Sequence, residues 1–297
     1  MKIEVVTIGD ELLLGFTIDT NAAHLARELA SIGVEITRRT TVGDSAEEIS
    51  NGVGEALERS EGVITTGGLG PTADDMTKPA IARVFNREMI YDESIAQSLR
   101  DRWAKLGRGK IPESNFTQAW IPKGAEIIPN AHGSAPGIWL EDDRGRWVAM
   151  LPGVPREMRA MLADELMPRI SARTAQTSKN VVMSWTVRTT GIGESALFDL
   201  LGDLGHTVEG LHPAFLPSVE GTDIRLTSRD VAQAEAVQRL ERAVEQLRSK
   251  IGAHVYGEGA SDLASVVLDI CKADGIKLAV AESCTGGLLG ARITAVP

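Results

Sequence analysis

Short apolar runs alternate with amphipathic stretches through the first 85 residues of the chain. The runs at 3–8, 34–42 and 62–66 have the length and composition of buried strands, and a stretch with helical spacing of apolar residues follows each of them. Parallel strands need long crossover connections, which helices supply, and those helices then cover both faces of the sheet. The pattern therefore predicts an α/β domain built on a mainly parallel sheet.

Three further apolar runs extend this first domain. They are short strand predictions near 126–128, 137–140 and 147–151, and with them the domain covers 1–169. The run 170–180 is rich in Ser, Thr, Ala, Arg and Lys and has no periodicity, so we interpret it as a linker.

The remainder of the chain predicts two smaller parts. Strands and two helices predict a compact α+β domain at 178–256. A helix at 261–273 and a strand at 276–281 then begin an α/β segment at 260–297 that is incomplete. We therefore expect the chain to be a fragment or a truncated product.

The balance of charge excludes a broad positive surface. The chain has 31 Lys and Arg against 41 Asp and Glu, a net charge of −10, so no overall positive field gathers nucleic acid or anionic lipid. The N-terminus lacks the basic and apolar regions of a signal peptide, and no apolar run is long enough to cross a membrane. Cys271 and Cys284 lack a C-x-x-C spacing and suit a reducing compartment. We expect a cytoplasmic protein without a nucleic-acid or membrane partner.

The segment TTGGLGPTADDMT lies between a predicted buried strand and a predicted helix. Its glycines, Gly67, Gly68 and Gly70, allow a sharp turn that brings backbone N–H groups and the helix dipole onto an anion. This arrangement predicts a phosphate site. The alternative is that the glycines only form a turn, which three glycines in four residues do not by themselves exclude.

Carboxylates follow three consecutive predicted strands. They are Asp10 and Glu11 after the first strand, Asp44 after the second, and Asp74 and Asp75 after the third. The carboxyl ends of parallel strands meet at one crevice, where ligands bind in open α/β sheets. Acids beside a phosphate site favour a divalent metal that bridges the two. Taken singly, each has a plainer interpretation, because Asp44, Asp74 and Asp75 suit helix caps and Glu11 suits a solvated loop.

Two further loops rich in Gly and Pro belong to the same predicted domain, NAHGSAPG at 130–137 and LPGVPREM at 151–158. Ser134 and Gly153 within them suit the wall of a binding pocket, and the loops equally suit rigid turns. His132 is one of five scattered histidines without metal-ligand spacing, and we interpret it as a turn residue.

Five of these segments together resemble a known family. In this order, IGDELLLG, TVGD, TTGGLGPTADDMT, NAHGSAPG and LPGVPREM resemble the N-terminal domain of the CinA (competence/damage-inducible) proteins, which is similar to molybdopterin-binding domains of molybdenum cofactor biosynthesis. The resemblance covers about 1–169 and implies a three-layer α/β sandwich, a metal-dependent ADP-ribose pyrophosphatase activity and a homodimer. It also implies that 67–72 holds the phosphate or pterin-like end of a ligand, with Asp44 and Asp75 as the central carboxylates.

The later parts of the chain resemble the other domains of the same family. Residues 178–256 resemble its KH-type linking domain, but the turn at 191–194 carries an acid in place of flanking basic residues, so we expect no RNA ligand. The sequence AESCTGG at 281–287 resembles the start of a nicotinamide mononucleotide deamidase domain, in which Ser283 is the nucleophile. A serine needs a positioned base to react, and we expect Ser283 to be inactive without the rest of that domain.

The leading hypothesis is metal-dependent hydrolysis of the pyrophosphate of ADP-ribose or a related small-molecule nucleotide, a nucleoside diphosphate sugar. Candidate ligands of Mg²⁺, Mn²⁺ or Co²⁺ are Asp44, Asp75 and Asp10, and Glu11 is the candidate base. The candidate residues that hold the nucleotide are Gly67, Gly68, Gly70, Thr72, Ser134 and Gly153. Two alternatives stay open: a non-catalytic module that binds molybdopterin or a nucleotide, and a nicotinamide mononucleotide deamidase where the C-terminal domain is complete.

Overall fold

The computed structural model describes residues 1–107, 109–177 and 180–296. The chain divides into two compact units, Met1–Lys179 and Asn180–Pro297. Within the described residues, no helix combines the length and the hydrophobicity needed to cross a membrane.

A six-stranded sheet forms the centre of the first unit. The strands of this unit are β1 (Lys2–Ile8), β2 (Glu35–Val42), β3 (Gly62–Thr66), β4 (Met89–Tyr91), β5 (Trp120–Pro122), β6 (Glu126–Ile128), β7 (Gly137–Glu141) and β8 (Trp147–Leu151). The spatial order in the sheet is β2-β1-β3-β8-β7-β6, and β4 and β5 form a separate antiparallel pair. The pairs β1–β2, β1–β3 and β3–β8 are parallel, whereas β7 is antiparallel to both β8 and β6. The predicted mainly parallel sheet is confirmed.

Helices cover both faces of this sheet. They are α1 (Asp10–Leu13), α2 (Thr20–Ser31), α3 (Ala46–Arg59), α4 (Thr77–Val84), α5 (Glu93–Lys105), α6 (Pro155–Met161) and α7 (Met167–Thr177), with a 3₁₀ helix at Glu113–Ala119 and a π-helical turn at Leu162–Leu166. Successive side chains of β1 point to opposite faces: Val6 packs in one buried cluster with Ile49 of α3, and Val5 packs in another with Leu25 of α2. The first unit is therefore a three-layer α/β sandwich.

The predicted linker at 170–180 is wrong over its first part, because α7 continues to Thr177. Leu166 and Ile170 are fully buried and one helical turn apart, and the Thr174 hydroxyl donates to the Ile170 carbonyl. This i, i+4 spacing continues the apolar stripe of the preceding helix into a polar-looking stretch. Residues 178–179 lie outside the described part of the chain.

The second unit contains an antiparallel sheet with two helices packed on it. Its strands are β9 (Asn180–Thr189), β10 (Ala214–Pro217), β11 (Thr222–Ala232) and β12 (Val255–Glu258), in the order β10-β11-β9-β12. Its helices are α8 (Glu194–Leu201), α9 (Gln233–Ile251), α10 (Leu263–Ala273) and α11 (Leu288–Thr294). Leu197 of α8 and Leu240 of α9 share a buried cluster with Val187 of β9. This is the small α+β arrangement expected after the first domain.

The strand predicted at 276–281 does not form. A strand is stable only when its backbone groups pair with a neighbouring strand, and no strand among the described residues pairs with this run. Ile276 and Leu278 are 57% and 45% exposed. The apolar run therefore packs against no sheet within the described residues.

Candidate functional site

A cavity of about 510 Å³ opens at the carboxyl ends of the parallel strands in the first unit. Its walls come from the turn after β1, the loop after β3, the loop after β8 and the segment at Ser134 and Ala135. This is the edge at which open α/β sheets bind ligands, and the volume suits a small molecule. Of the predicted nucleotide-holding residues, Gly67, Gly68, Gly70, Ser134 and Gly153 line it, whereas Thr72 does not.

Gly67 allows three strand ends to meet beneath the cavity. Its N–H donates to the Leu151 carbonyl over 3.1 Å, which joins the end of β3 to that of β8. Its φ is +109°, and a Cβ there would lie 2.3 Å from the Ile8 carbonyl oxygen of β1. Gly153 lies against the same residue, since its Cβ would be 3.4 Å from Gly67 Cα. The close contact therefore requires glycine at position 67.

The Asp75 carboxylate organises the loop that follows β3. One oxygen accepts the Gly70 N–H over 2.7 Å, and the other accepts the Thr72 N–H over 2.7 Å and the Thr72 hydroxyl. Asp75 therefore does not cap α4, which begins at Thr77 and has no side-chain cap. Asp75 stabilises the loop, and it also lines the cavity.

This arrangement narrows the phosphate site predicted from the glycines. The N–H groups of Gly67, Gly70 and Thr72 already have acceptors inside the protein. Within the described part of the chain, the N–H groups of Gly68 and Leu69 have none. Within this loop, these two amides are therefore the ones left for an anion near the start of α4, where the helix dipole favours negative charge.

Asp10 and Asp44 join the ends of β1 and β2 through reciprocal hydrogen bonds. Asp44 Oδ2 accepts the Asp10 N–H over 3.0 Å, and Asp10 Oδ1 accepts the Asp44 N–H over 3.3 Å. Asp44 lines the cavity, and so does Glu11, but Asp10 does not. The Glu11 carboxylate is folded back over Gly9, where a Cβ would lie 2.6 Å from both of its oxygens. Of the predicted carboxylates, the structure thus brings Glu11, Asp44, Asp74 and Asp75 to one cavity.

The loop at 130–137 is held by a side chain that the sequence did not single out. Asn130 Nδ2 donates to the Ala135 carbonyl over 2.8 Å and to Glu157 Oε2 over 2.7 Å, and its Oδ1 accepts the N–H groups of His132 and Gly133. Glu157 lines the cavity, whereas His132 is exposed and does not. His132 occupies the turn position expected for it.

The cavity suits a hard cation that is shared with a ligand. Among the described residues, the ionisable side chains of its walls are all carboxylates, whose oxygens Mg²⁺ and Mn²⁺ prefer over nitrogen and sulfur ligands. No three His, Cys, Asp or Glu side chains within the described residues are grouped closely enough to hold a metal by themselves. Mg²⁺ is ordinarily held by one or two carboxylates together with substrate phosphates and waters. Asp44 and Asp75 line the cavity and are the residues that could hold a cation there together with a bound phosphate.

Three residues near the cavity gave no signal in the sequence, Asn21, Lys78 and Gln118. Asn21 and Gln118 line the cavity and are 8% and 1% exposed. Lys78 is 4% exposed, and its ammonium donates to the Thr117 and Gln118 carbonyls over 3.1 and 3.0 Å. Burial lowers the pKa of Lys78 to about 8, and the charge of Asp75 opposes that shift.

We expect the buried Lys78 to make the first unit more stable as the pH rises from 8 to 10. Its pKa is about 8 in the folded chain and about 10.4 in an unfolded one. Between these values the unfolded chain binds more protons, so the free energy of unfolding rises with pH, by about 2 kcal/mol for this group. Urea unfolding of the wild type and of Lys78→Met across this range measures the effect, since the variant lacks it. Parallel pH curves for the two proteins would contradict the prediction.

Ser283 in the second unit has no base beside it. Its Oγ lies 3.7 Å from Cys284 Sγ, and among the described residues no carboxylate, imidazole or amine hydrogen-bonds to it. The Thr285 hydroxyl donates to the neighbouring Glu282 carboxylate, which also accepts the N–H groups of Gly290 and Leu289 at the start of α11, and these bonds lower the pKa of Glu282. Glu282 therefore serves as a helix cap, and Ser283 is not activated in this arrangement.

Three family models match successive parts of the chain. The model described as "Probable molybdopterin binding domain" matches residues 4–172, the "Damage-inducible protein CinA KH domain" matches 184–257, and the "CinA C-terminal domain" matches 260–297.

Relatives with known names extend this similarity to the whole chain. A CinA-like protein of Gemmatimonas aurantiaca is 57% identical over all of this chain and 69% of its own length. A CinA-like protein of Dictyoglomus thermophilum is 38% identical over all of this chain and 71% of its own length. A crystal structure of the protein CinA, of unknown function, from Thermoplasma acidophilum is 35% identical, with a TM-score of 0.51 over 57% of this chain and 97% of that one. The chain therefore belongs to the CinA family, and its first unit is a molybdopterin-binding-like domain.

Proposed function

We propose that the first unit is a metal-dependent hydrolase that splits the pyrophosphate of a nucleoside diphosphate sugar such as ADP-ribose. The observation that carries the proposal is one cavity lined by several carboxylates, Asp44, Asp75 and Glu11 among them. They lie beside the amides of Gly68 and Leu69, which have no acceptor among the described residues. A phosphate group needs N–H donors and positive charge. The amides supply the donors, and the carboxylates attract a cation that offsets the charge of the phosphates.

The position of each residue in the cavity suggests its role in the reaction. Phosphate oxygens accept from the amides of Gly68 and Leu69, and Asp44 and Asp75 would hold a divalent cation together with those oxygens. The cation, when bound, supplies positive charge that stabilises the charge developing on the bridging phosphates. Glu11 takes a proton from a water molecule whose oxygen attacks one phosphorus atom. The P–O bond of the bridge breaks, and the products are AMP and ribose 5-phosphate.

Metal removal tests this proposal directly. The protein is incubated with ADP-ribose and Mg²⁺, Mn²⁺ or Co²⁺, and AMP and ribose 5-phosphate are separated and quantified. We expect AMP release that falls at least about tenfold when a chelator removes the metal and that returns when the metal is restored. Heat-treated protein is the control. Absence of AMP with all three metals would overturn the proposal.

A second candidate is a module that binds a pterin or a nucleotide without turnover. It is favoured by the internal hydrogen bonds of Asp44 and Asp75 and by the lack of a three-residue metal group within the described residues. The match to a molybdopterin-binding family model also supports it. Calorimetry separates the two candidates, because this one requires tight binding that does not depend on metal and produces no AMP.

A further inference from the structure

Two residues that line the cavity, Asn21 and Gln118, each have a buried side-chain oxygen without a hydrogen-bond partner among the described residues. Asn21 Nδ2 donates to the Gly153 carbonyl over 2.7 Å, which fixes the amide so that Oδ1 is the free atom. That oxygen and Gln118 Oε1 are buried, and neither has a hydrogen-bond partner among the residues that the structure describes. A buried acceptor without a donor costs folding free energy, so both groups need an explanation.

Neighbouring groups hold both residues in place. The Lys78 ammonium donates to the carbonyls of Thr117 and Gln118, which ties the end of the 3₁₀ helix to α4. Asn21 lies in the first turn of α2, where the Asp19 carboxylate accepts the Ala22 N–H over 2.9 Å. The backbones of the two residues are therefore fixed at the cavity wall. The last torsion of a Gln side chain is soft, so its amide oxygen turns readily toward a donor.

The two unpartnered oxygens are acceptors, so phosphate oxygens are not their partners. Phosphate oxygens accept hydrogen bonds, and so do amide oxygens, so the two repel. The hydroxyl groups of a sugar are donors. A ligand that carries both a phosphate and a sugar would place its phosphate on the amides of Gly68 and Leu69. Its sugar hydroxyls would then lie against Asn21 and Gln118.

We propose that Asn21 and Gln118 form a hydroxyl-binding subsite that selects a phosphorylated sugar over a simple phosphate. The inference rests on one part of the proposed function, namely that the same cavity binds a phosphate group. It names the sugar as the recognised part of the substrate, and it makes Lys78 a positioning residue that acts through Gln118.

Binding of two small phosphates tests the subsite without any hydrolysis. Calorimetry with ribose 5-phosphate and methyl phosphate is performed on the wild type, Gln118→Met and Asn21→Leu. The wild type is expected to prefer ribose 5-phosphate by about tenfold or more, and each variant to lose about five- to tenfold of that preference with methyl phosphate binding unchanged. Gln97→Met is the matched control, because the Gln97 amide is exposed on α5 and bonds to Asp101. It should leave both affinities unchanged.

Thermal unfolding separates recognition from a structural role. Gln118→Met removes an unpaired buried acceptor, so its Tm is expected to equal or exceed that of the wild type. A lower Tm for Gln118→Met than for Gln97→Met would show that Gln118 supports the fold, and would overturn the proposal. Equal binding of both phosphates by the wild type would overturn the subsite alone. Failure of the wild type to bind either phosphate would overturn the proposed function and the subsite with it.

Discussion

Asp75→Ala is expected to lower AMP release from ADP-ribose by about 10²- to 10³-fold. The Asp75 carboxylate accepts the N–H groups of Gly70 and Thr72 and the Thr72 hydroxyl. Its removal leaves three donors without an acceptor and frees the loop whose Gly68 and Leu69 amides are proposed to hold the phosphate. The same change removes one of the two carboxylates that fit a shared metal. Both losses reduce stabilisation of the transition state, so the effect on turnover should exceed the effect on stability.

The control for this variant is an aspartate with similar hydrogen bonds and no place in the cavity. Asp92 caps α5 by accepting the N–H groups of Ser94 and Ile95, and it does not line the cavity. Asp92→Ala is expected to lower the free energy of unfolding by about 1 kcal/mol and to leave AMP release unchanged. The comparison uses initial rates at saturating ADP-ribose together with the Tm of each protein. Equal turnover of Asp75→Ala and the wild type would remove Asp75 from the proposed site.

The place of the site was predictable from the sequence, and the roles of its acids were predictable only in part. Alternating strands and helices put Asp44, Asp75 and Glu11 at strand ends, and all three line one cavity. Asp10 occupies an equivalent position, but its carboxylate turns toward the Asp44 N–H and does not line the cavity. The end of a strand determines where the backbone of the following residue lies, but not where its carboxylate binds. Which N–H group a carboxylate then binds depends on donors from other strands, and a linear pattern does not contain that information.

Two features of the first unit that the sequence did not reveal depend on tertiary contacts. Ile170 and Thr174 lie on α7 because tertiary burial overrides a polar composition that is typical of a linker. Gln118 lies in a 3₁₀ helix without apolar periodicity, and its carbonyl accepts a hydrogen bond from the Lys78 ammonium. The apolar run at 276–281 shows the converse, because a strand pattern forms no strand without a partner. Local pattern predicts elements well where the element itself supplies its hydrogen bonds and its buried face.

Gly67→Ala is expected to lower the free energy of unfolding of the first unit by about 3 kcal/mol or more. The added Cβ would lie 2.3 Å from the Ile8 carbonyl oxygen, at a φ of +109° that side chains rarely adopt. The obstructing atom belongs to the backbone of β1, so it cannot rotate away as a side chain would. Relief requires β1 and β3 to separate at the end where the cavity opens, and binding of ribose 5-phosphate should be lost with the stability.

A second glycine of the same unit provides the opposite expectation. Gly54 lies inside α3, and a Cβ there would meet no atom within 4 Å. Gly54→Ala is therefore expected to raise the free energy of unfolding by about 0.5–1 kcal/mol, because alanine restricts the unfolded chain and favours the helix. Urea titrations of both variants and the wild type measure the difference. If Gly67→Ala were as stable as Gly54→Ala, the three strand ends would not need to meet at Gly67, and the cavity would owe its shape to other contacts.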